Sequence, residues 1–311
     1  MVSMMTELGT MPELRGDLRF SEPLAQYTSW RVGGPAKQFY RPADLADLCA
    51  FLRWLPIHEP LLWLGLGSNL LVRDGGFRGT VIMTHGALQK LGLSGELGIR
   101  VEAGVPCAKA ARFSARHYLM GAEFLAGIPG TIGGALAMNA GAWGSETWEW
   151  VSEVETVNRE GALHFRSATE YTVGYRQVQG PEHEWFVAAH LRLMPGDADT
   201  ALAKIRQLLE QRSRTQPTGM ASCGSVFRNP PGDFAARLIE TAGLKGLTNG
   251  DACVSIKHAN FILNNGSATA EQLEELIEKV ADTVDRIHGV RLQTEVRMVG
   301  ETAAEQRARE Q

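Results

Sequence analysis

Residues 124–145 read FLAGIPGTIGGALAMNAGAWGS, a stretch of 22 residues with six glycines and no charged side chain. An uncharged stretch of this length is long enough to span a bilayer as a helix. Proline and repeated glycines disfavour a helix, however, and irregular backbone does not face lipid. We therefore interpret the stretch as glycine-rich backbone buried in a soluble protein. It holds part of a general glycine excess, since 34 of the 311 residues are glycine, about 11% against a usual ~7%.

The composition of the whole chain is typical of a folded protein rather than a disordered one. Hydrophobic residues make up 44% and charged residues 21% of the chain, and 311 residues predict two or three domains. The net charge of −4 argues against a general nucleic-acid binder, which usually carries a basic excess. The eight histidines show no metal-binding spacing, so no metal site is expected.

Cysteine usage and the N-terminus predict the compartment. The four cysteines, Cys49, Cys107, Cys223 and Cys253, form no C-x-x-C pair, so neither a zinc ribbon nor a disulfide framework is predicted. We therefore expect a reducing cytoplasm. The first twenty residues contain acidic side chains and no apolar core, and we interpret them as a loose leader rather than a signal peptide.

Hydrophobic periodicity predicts a mixture of helices and strands. Helices are predicted over 45–55, 107–120 and 201–214, and over a segment that begins with a capping box at Thr269 and Gln272 and ends at Gly289. Asp233 is expected to cap a further helix over 234–243. Strands are predicted over 61–65, 153–158, 185–194, 259–264 and 290–300. The break at 215–217 is a candidate domain boundary, and the tail after Gly300 is expected to be disordered or a frayed helix.

Two glycine-rich segments are candidate ligand sites. GLGSN at 65–69 follows a predicted strand, and its consecutive N–H groups suit either a tight turn or a phosphate cradle. Leu70 stands where a Rossmann fingerprint needs a third glycine, so that motif is not predicted. In residues 127–134 the glycines indicate either close backbone packing or contact with a planar or phosphorylated ligand. Two such segments in one chain favour a dinucleotide-type cofactor.

The remaining groups of polar residues are candidates for either a structural or a catalytic role. SCGSVFRNP at 222–230 is either a polar loop or a site where Ser225 or Cys223 donates a proton in a dry pocket. Glu295 lies on the polar face of the predicted terminal strand, which is either solvated or functional. Arg176 and the group formed by Arg212, Arg214 and Gln216 are of types that more often lie at the surface.

Taken in order, the motifs resemble the UDP-N-acetylenolpyruvoylglucosamine reductase family over residues 20–300. Each motif is weak alone, whereas the ordered set is specific. The set comprises TSWRVGGP (28–35), GLGSNLLV (65–72), EFLAGIPGTIGG (123–134), MNAG (138–141), YR (175–176), GSVFRNP (224–230), AGLKG (242–246), HANFI (258–262) and EVR (295–297). The chain lacks a long tyrosine-bearing insertion between Arg176 and Arg212, so it resembles the shorter, type II-like branch of the family.

The resemblance implies an α+β fold and a domain plan. Two α/β flavin-binding subdomains of the vanillyl-alcohol oxidase type would be followed by a C-terminal α/β substrate-binding domain. The implied divisions are subdomain 1 at 1–82, subdomain 2 at 83–214, the substrate-binding domain at 215–290, and a terminal strand with Glu295 and a tail at 291–311. The implied partners are small molecules, with no nucleic acid and no membrane, and the protein is expected to be a cytoplasmic monomer.

The resemblance also implies noncovalent FAD, with NADPH as the reductant. The implied FAD contacts lie mainly in the two glycine-rich segments: Arg31, Gly33, Gly65, Leu66, Gly67, Ser68, Asn69, Leu70, Gly127, Ile128, Pro129, Gly130, Thr131, Gly133, Gly134, Asn139 and Gly141. The implied substrate contacts are Arg214, Gln216, Gly224 and Asn229.

The family chemistry implies three catalytic residues. Hydride passes from NADPH through FAD N5 to the vinyl carbon of an enolpyruvyl sugar nucleotide, and a proton is added to the adjacent carbon. Arg176 matches the arginine that stabilises charge on the substrate carboxylate. Glu295, if protonated through a raised pKa, would help to polarise the same group, and Ser225 matches the proton donor. The alternatives are a sugar or alcohol oxidase of the same fold and a nucleotide-binding module without activity.

Overall fold

The computed structural model describes residues 13–311, with the Glu310 side chain left aside, and the chain forms two compact units. Within the described residues, unit 1 comprises 13–19, 38–65 and 79–209, and unit 2 comprises 20–37, 66–78 and 210–311. The first twelve residues of the predicted leader lie outside the described part. Its end is not loose, because a strand begins at Asp17.

Unit 1 contains most of the strands. Its elements are α1 (Leu45–Trp54), β3 (Leu61–Leu64), β6 (Leu91–Leu93), β7 (Gly98–Glu102), α2 (Cys107–Arg116), β8 (Leu119–Met120), α3 (Ile132–Met138), β9 (Gly141–Ala142), β10 (Ser145–Glu146), β11 (Val151–Asn158), β12 (Leu163–Ser167), β13 (Thr172–Gly174), β14 (Gln177–Gln179), β15 (Glu184–Arg192) and β16 (Met194–Pro195). The limits of the units fall within β1 (Asp17–Pro23), β2 (Pro35–Arg41), β5 (Phe77–Met83) and α4 (Ala198–Thr215).

Two sheets organise unit 1. One has the strand order β12-β11-β15-β7-β6 and is antiparallel throughout. The other has the order β1-β2-β5-β3, with β3 and β5 parallel. Alternating residues of β11 and β15 pack against α2 and α3, and the buried residues there include Val154, Ala189 and Leu136. A tight turn joins β11 and β12, in which Gly161 adopts a φ of +67° and its N–H donates to the Asn158 carbonyl.

Unit 2 is built around one long helix. Its elements are β4 (Leu70–Val72), α5 (Ala235–Thr241), β17 (Thr248–Asn249), β18 (Ala252–Val254), β19 (Ile262–Asn264), α6 (Ala270–His288), β20 (Arg297–Val299) and α7 (Ala303–Glu310). The predicted capping box of α6 and its left-handed Gly289 are confirmed. The apolar face of α6 packs against the sheet β17-β18-β19, and β20 pairs in parallel with β4.

Two predicted helix ends differ from the structure. The helix predicted over 107–120 ends at Arg116, because β8 pairs with β16 immediately afterwards. Asp233 does not cap α5; its carboxylate accepts from Phe234 and pairs with Arg237. Of the two expectations for the tail after Gly300, the helix is confirmed, since Thr302 and Glu305 form a capping box for α7.

The uncharged stretch 124–145 forms short elements. It holds most of a 3-10 helix (Glu123–Gly127), all of α3, and most of the hairpin formed by β9 and β10. Among residues 13–311, no helix is both long and apolar enough to cross a membrane.

A buried carboxylate makes the stability of unit 1 dependent on pH. Asp47 is 3% exposed and accepts hydrogen bonds from the Tyr40 hydroxyl (2.5 Å), Ala43 N–H (2.8 Å) and Arg15 N–H (2.9 Å). Burial by itself would raise the pKa of Asp47, but these hydrogen bonds outweigh it and the pKa lies below its usual value. A lowered pKa contributes stability that is present above about pH 4 and is lost as the pH falls through the folded-state pKa.

We therefore expect Asp47→Asn to lower the free energy of unfolding at pH 7 by about 1–3 kcal/mol, because its amide places a donor against donors. Below about pH 4 the difference from the unsubstituted protein should shrink. Chemical unfolding followed from pH 3 to 7 measures both quantities. A difference independent of pH would show that the ionised carboxylate is not the stabilising group.

Candidate active site

The loop 65–69 places strained backbone at the end of β3. Gly67 has a φ of +58°, and a Cβ there would lie 2.2 Å from the Tyr27 carbonyl oxygen. The Gly67 carbonyl accepts from the Ser29 N–H at 3.1 Å. A Cβ on Gly65 would lie 2.3 Å from Thr131 Oγ1, so within unit 1 the start of this loop lies against the second glycine-rich segment.

Three consecutive N–H groups of this loop are available to a ligand. Within residues 13–311, the N–H groups of Leu66, Gly67 and Ser68 meet no hydrogen-bond acceptor, although Gly67 is buried. Buried backbone N–H groups are nearly always paired, and a run of unpaired ones forms an anion-binding concavity. The loop therefore has the donor set that a diphosphate requires.

The glycines of residues 127–134 have different structural roles. A Cβ on Gly127 would collide with the Trp143 indole, and one on Gly133 would lie 3.0 Å from the Ala103 Cβ, so these two glycines permit close packing. Gly134 is exposed, and the nearest atom that a Cβ there would meet is Thr131 Oγ1 at 3.9 Å. Gly134 therefore leaves open space beside the segment. The open face beside Gly134 can accommodate a planar ligand, such as the flavin of FAD.

Arg176 is held at the end of the second glycine-rich segment. It lies in the two-residue turn between β13 and β14, with a φ of +55°. Its Nη1 donates to the Asn139 carbonyl and its Nη2 to the Gly141 carbonyl, both at 3.3 Å, and the guanidinium lies 5.2 Å from the Tyr175 ring centroid. Left-handed backbone at a non-glycine residue is costly and is concentrated at functional sites.

Asn139 holds the segments around Arg176 together through its side-chain amide. It ends α3 with a φ of +41° and is 1% exposed. Its Nδ2 donates to Glu146 Oε2 (2.7 Å) and to the Gly174 carbonyl (3.2 Å), while its Oδ1 accepts from Trp148 N–H (3.2 Å). The Asn139 amide is therefore committed to contacts within unit 1.

Unit 2 brings Ser225 and Glu295 into one neighbourhood. The Val226 carbonyl accepts from the Glu295 N–H at 2.7 Å, and Asn69 Nδ2 donates to the Glu295 carbonyl at 3.1 Å. Ser225 is half-buried, and its hydroxyl has no hydrogen-bond partner within the described part of the chain. Val226 and Phe227, which follow it, are fully buried. A hydroxyl in this setting is available to a ligand.

The prediction that Glu295 lies on the terminal strand is wrong. The strand β20 begins at Arg297, and residues 291–296 form a loop that contacts residues 226–228 through isolated bonds. Alternation of polar and apolar residues suggested a longer strand, but no continuous ladder is available to residues 291–296. Burial still follows part of the pattern, since Leu292 and Val296 are buried.

Cys223 is a packing residue of the same loop. It is 4% exposed, and its Sγ donates to the Leu70 carbonyl at 3.3 Å. Burial raises the pKa of the Cys223 thiol to about 12. The thiol is therefore neutral at pH 7, and Ser225 is the better candidate for contact with substrate.

The predicted substrate residues differ in their settings. Gly224 has a φ of +74° and open space around it, whereas Asn229 Oδ1 accepts from Ala235 N–H at the start of α5. The Arg214 side chain is 80% exposed and faces Glu210 at 3.8 Å. Gln216 Oε1 accepts from Arg212 Nε at 3.1 Å.

Arg212, which the sequence pattern grouped with surface residues, and Asn260, which it did not single out, gain importance from the fold. Arg212 is half-buried without a carboxylate partner among residues 13–311, and burial lowers its pKa. Arginine is rarely buried unless it is paired, so the lack of a carboxylate is the signal at this position. Asn260 stood within the HANFI motif, but its contact with residues 226–227 is visible only in the fold.

Three further residues of the implied FAD set, Arg31, Gly33 and Leu70, lie in unit 2. Arg31 is exposed with a φ of +60°, and a Cβ on Gly33 would lie 2.7 Å from Val72 Cβ. Leu70 is buried at the start of β4.

Comparisons with known proteins agree with the geometry. Residues 36–165 match the FAD binding domain family, and residues 216–299 match the C-terminal domain family of UDP-N-acetylenolpyruvoylglucosamine reductase. The chain is 63% identical over 286 residues to the UDP-N-acetylenolpyruvoylglucosamine reductase of Alkalilimnicola ehrlichii, covering 92% of this chain and 96% of that protein. It is 56% identical over 296 residues to that of Legionella pneumophila, covering 95% and 96%.

A solved structure supports the fold class. The crystal structure of the UDP-N-acetylenolpyruvylglucosamine reductase of Thermus caldophilus aligns with a TM-score of 0.79 and 33% identity, covering 92% of this chain and all of that one. The predicted α+β fold with an FAD-binding region and a C-terminal domain is confirmed. The chain therefore belongs to the UDP-N-acetylenolpyruvoylglucosamine reductase family, the FAD-dependent oxidoreductases of peptidoglycan precursor synthesis.

Proposed function

We propose that this chain reduces the enolpyruvyl group of UDP-N-acetyl-3-O-(1-carboxyvinyl)-glucosamine to UDP-N-acetylmuramate with NADPH, and that Arg176, Ser225 and Glu295 are its catalytic residues. Noncovalent FAD supplies the hydride transfer from NADPH to the vinyl carbon. The observation that supports these roles is the hydrogen bond from the Glu295 N–H to the Val226 carbonyl, which joins the backbone of the Ser225 loop to that of Glu295 within unit 2.

Arg176 and Glu295 would act on the substrate carboxylate. Negative charge builds up there when hydride adds to the vinyl carbon, and donors held in place stabilise it without reorganisation. The Arg176 guanidinium is held by two carbonyls, Asn139 and Gly141, which accept from its two terminal nitrogens. These bonds limit its rotation, so it would meet the substrate already oriented.

Ser225 would deliver the proton to the second carbon of the enolpyruvyl double bond, adjacent to the CH₂ carbon that receives the hydride. An aliphatic hydroxyl is a weak acid and protonates only a strongly basic, carbanion-like centre. Its backbone is fixed between the buried residues Cys223 and Val226, and its oxygen has no partner within residues 13–311. The hydroxyl proton is thus free to be given to substrate.

FAD would be held mainly by backbone. We assign the diphosphate to the N–H groups of 66–68, and the flavin to the open face beside Gly134. The full proposed set is the one that the family resemblance implied, from Arg31 and Gly33 through 65–70 and 127–134 to Asn139 and Gly141.

The proposal is tested on the purified protein by absorption spectroscopy without oxygen. NADPH should bleach the flavin band, and the enolpyruvyl substrate should restore it. In a parallel assay in air, hydrogen peroxide formed from a sugar or alcohol without NADPH would instead show an oxidase. Binding of nucleotides with no change in the flavin band would show a module without activity.

Among the substrate contacts, we expect Arg212 to contribute more than Arg214. The half-buried Arg212 guanidinium has no carboxylate partner among residues 13–311, so it is available to an anion, and a charged hydrogen bond to phosphate or carboxylate contributes about 1.5–3 kcal/mol. Arg212→Met should therefore weaken binding of the UDP-sugar about tenfold or more. Arg214→Met is the matched variant, two residues further along α4. It should change the dissociation constant less than about threefold, because Arg214 is exposed and exposed ion pairs contribute little. Calorimetric titration measures both constants, and equal effects would refute the distinction.

The remaining sequence predictions extend this proposal. We propose a cytoplasmic monomer, supported for its compartment by four cysteines that are all free thiols. The finer division of the chain at 82, 214 and 290 stays a prediction. Sedimentation equilibrium of the FAD-bound protein tests the monomer.

A further inference from the structure

A buried asparagine, Asn260, contacts the backbone that immediately follows Ser225. Its Oδ1 accepts from the Phe227 N–H at 2.9 Å and its Nδ2 donates to the Phe227 carbonyl at 2.8 Å. Its own carbonyl accepts from the Val226 N–H at 2.9 Å. Asn260 is 3% exposed, so these bonds are shielded from water.

These bonds take the place of a β-ladder. Residues 222–226 belong to no strand, and Phe227 makes only an isolated bridge to Thr294. A side-chain amide carries the same donor and acceptor as a peptide group, so Asn260 can pair with Phe227 as a neighbouring strand would. The two residues after Ser225 are thereby fixed by three hydrogen bonds.

The same bonds extend to Glu295. The Val226 N–H is held by Asn260, while the Val226 carbonyl accepts from the Glu295 N–H at 2.7 Å. Val226 thus lies between Asn260, which binds its N–H, and Glu295, which binds its carbonyl. A shift of Val226 would move both proposed catalytic residues, Ser225 and Glu295.

Asn260 is itself rigidly held. Ser255 Oγ accepts from the N–H groups of Lys257 and His258, the Ser255 N–H donates to the Phe261 carbonyl, and Phe261 N–H closes a turn on His258. This turn fixes the backbone on both sides of Asn260. The HANFI motif thus supports the serine loop.

From this geometry we infer that Asn260 is a positioning residue that orients Ser225, and through Val226 also Glu295, for proton delivery to the substrate. The inference rests on the proposed role of Ser225. Loss of orientation costs rate more than affinity, since a misplacement of about 1 Å lowers a rate by as much as a hundredfold.

The test follows the two half-reactions of the FAD-bound protein in rapid-mixing experiments. Asn260→Ala should slow flavin reoxidation by the enolpyruvyl substrate about ten- to hundredfold, leave substrate affinity within about threefold, and leave flavin reduction by NADPH unchanged. Asn260→Ser is the milder change, because it keeps a polar group. Its reoxidation rate should lie between those of the unsubstituted protein and of Asn260→Ala, and it replaces the alanine variant if that variant does not fold. Asn264→Ala is the matched control.

Asn264 suits this purpose because it lies in the same unit, is 6% exposed, donates to the Trp30 carbonyl and accepts from Gly266 and Ala268. Its loss should lower the melting temperature without selective slowing of reoxidation. Equal selective slowing in both variants would overturn the inference, because the effect would then belong to any buried amide of unit 2.

A double variant separates positioning from general damage. If Asn260 acts through Ser225, then Asn260→Ala should slow reoxidation less than about twofold further when Ser225 is already alanine. A full additional slowing would overturn the inference while leaving the role of Ser225 intact. If Ser225→Ala alone does not slow reoxidation, the proposed role of Ser225 fails first and the inference fails with it.

Discussion

Replacing Ser225 by alanine should leave the reduction of FAD by NADPH intact and should slow reoxidation by the enolpyruvyl substrate about 10²- to 10⁴-fold, the usual contribution of a positioned acid. The reason is that only the second half-reaction needs a proton on carbon. The Ser225 hydroxyl forms no hydrogen bond to residues 13–311, so its removal breaks no contact of the folded chain. Anaerobic rapid mixing with absorbance detection measures the two rates separately.

Ser222→Ala is the matched control for this prediction. Ser222 lies three residues earlier in the same loop and is also half-buried. It should change neither half-reaction more than about twofold, as expected for a surface hydroxyl without a partner. If Ser225→Ala slows both half-reactions equally, Ser225 shapes the cofactor site and is not the proton donor.

Local signals in the sequence predicted the local parts of the fold. The helix α6 is an example, because Thr269, Gln272 and Gly289 are cap residues whose effect needs no distant partner. Residues 291–296 show the opposite case. Their alternation suits a strand, but a strand needs a neighbour with a free edge, and residues 226–228 offer isolated bonds. The alternating pattern of residues 291–296 contains no information on whether a neighbouring strand is present.

The sequence predicted which residues would form the candidate site, but not the residues that hold them in place. Motif order pointed to Arg176, Ser225 and Glu295, whereas the asparagines that hold their surroundings, Asn139 and Asn260, act over long stretches of chain. The glycines show the same limit. Composition could not separate Gly127, which makes room for Trp143, from Gly134, which faces open space, because the difference lies in tertiary neighbours.

Replacing Gly67 by alanine should weaken FAD binding on the order of a hundredfold, about 3 kcal/mol, because two effects add. A φ of +58° disfavours any residue with a Cβ by about 1 kcal/mol. The Cβ would also lie 2.2 Å from the Tyr27 carbonyl oxygen, which belongs to backbone and cannot rotate away. The loop must then move, and the N–H groups of residues 66–68 move with it. Titration of flavin-free protein with FAD, followed by flavin fluorescence, gives the dissociation constant.

Gly232→Ala is the control that separates the two effects expected for Gly67→Ala, the cost of a Cβ at positive φ and the movement of the loop caused by the clash. Gly232 has a φ of +76°, comparable to that of Gly67, but no atom lies within 4 Å of the place where its Cβ would be. It should therefore lose about 1 kcal/mol of stability with unchanged FAD affinity, because only the cost of left-handed backbone applies. If Gly67→Ala loses stability to the same small extent and binds FAD normally, the donors of 66–68 do not hold the diphosphate, since a loop displaced by a backbone clash could not keep three N–H groups aimed at one anion.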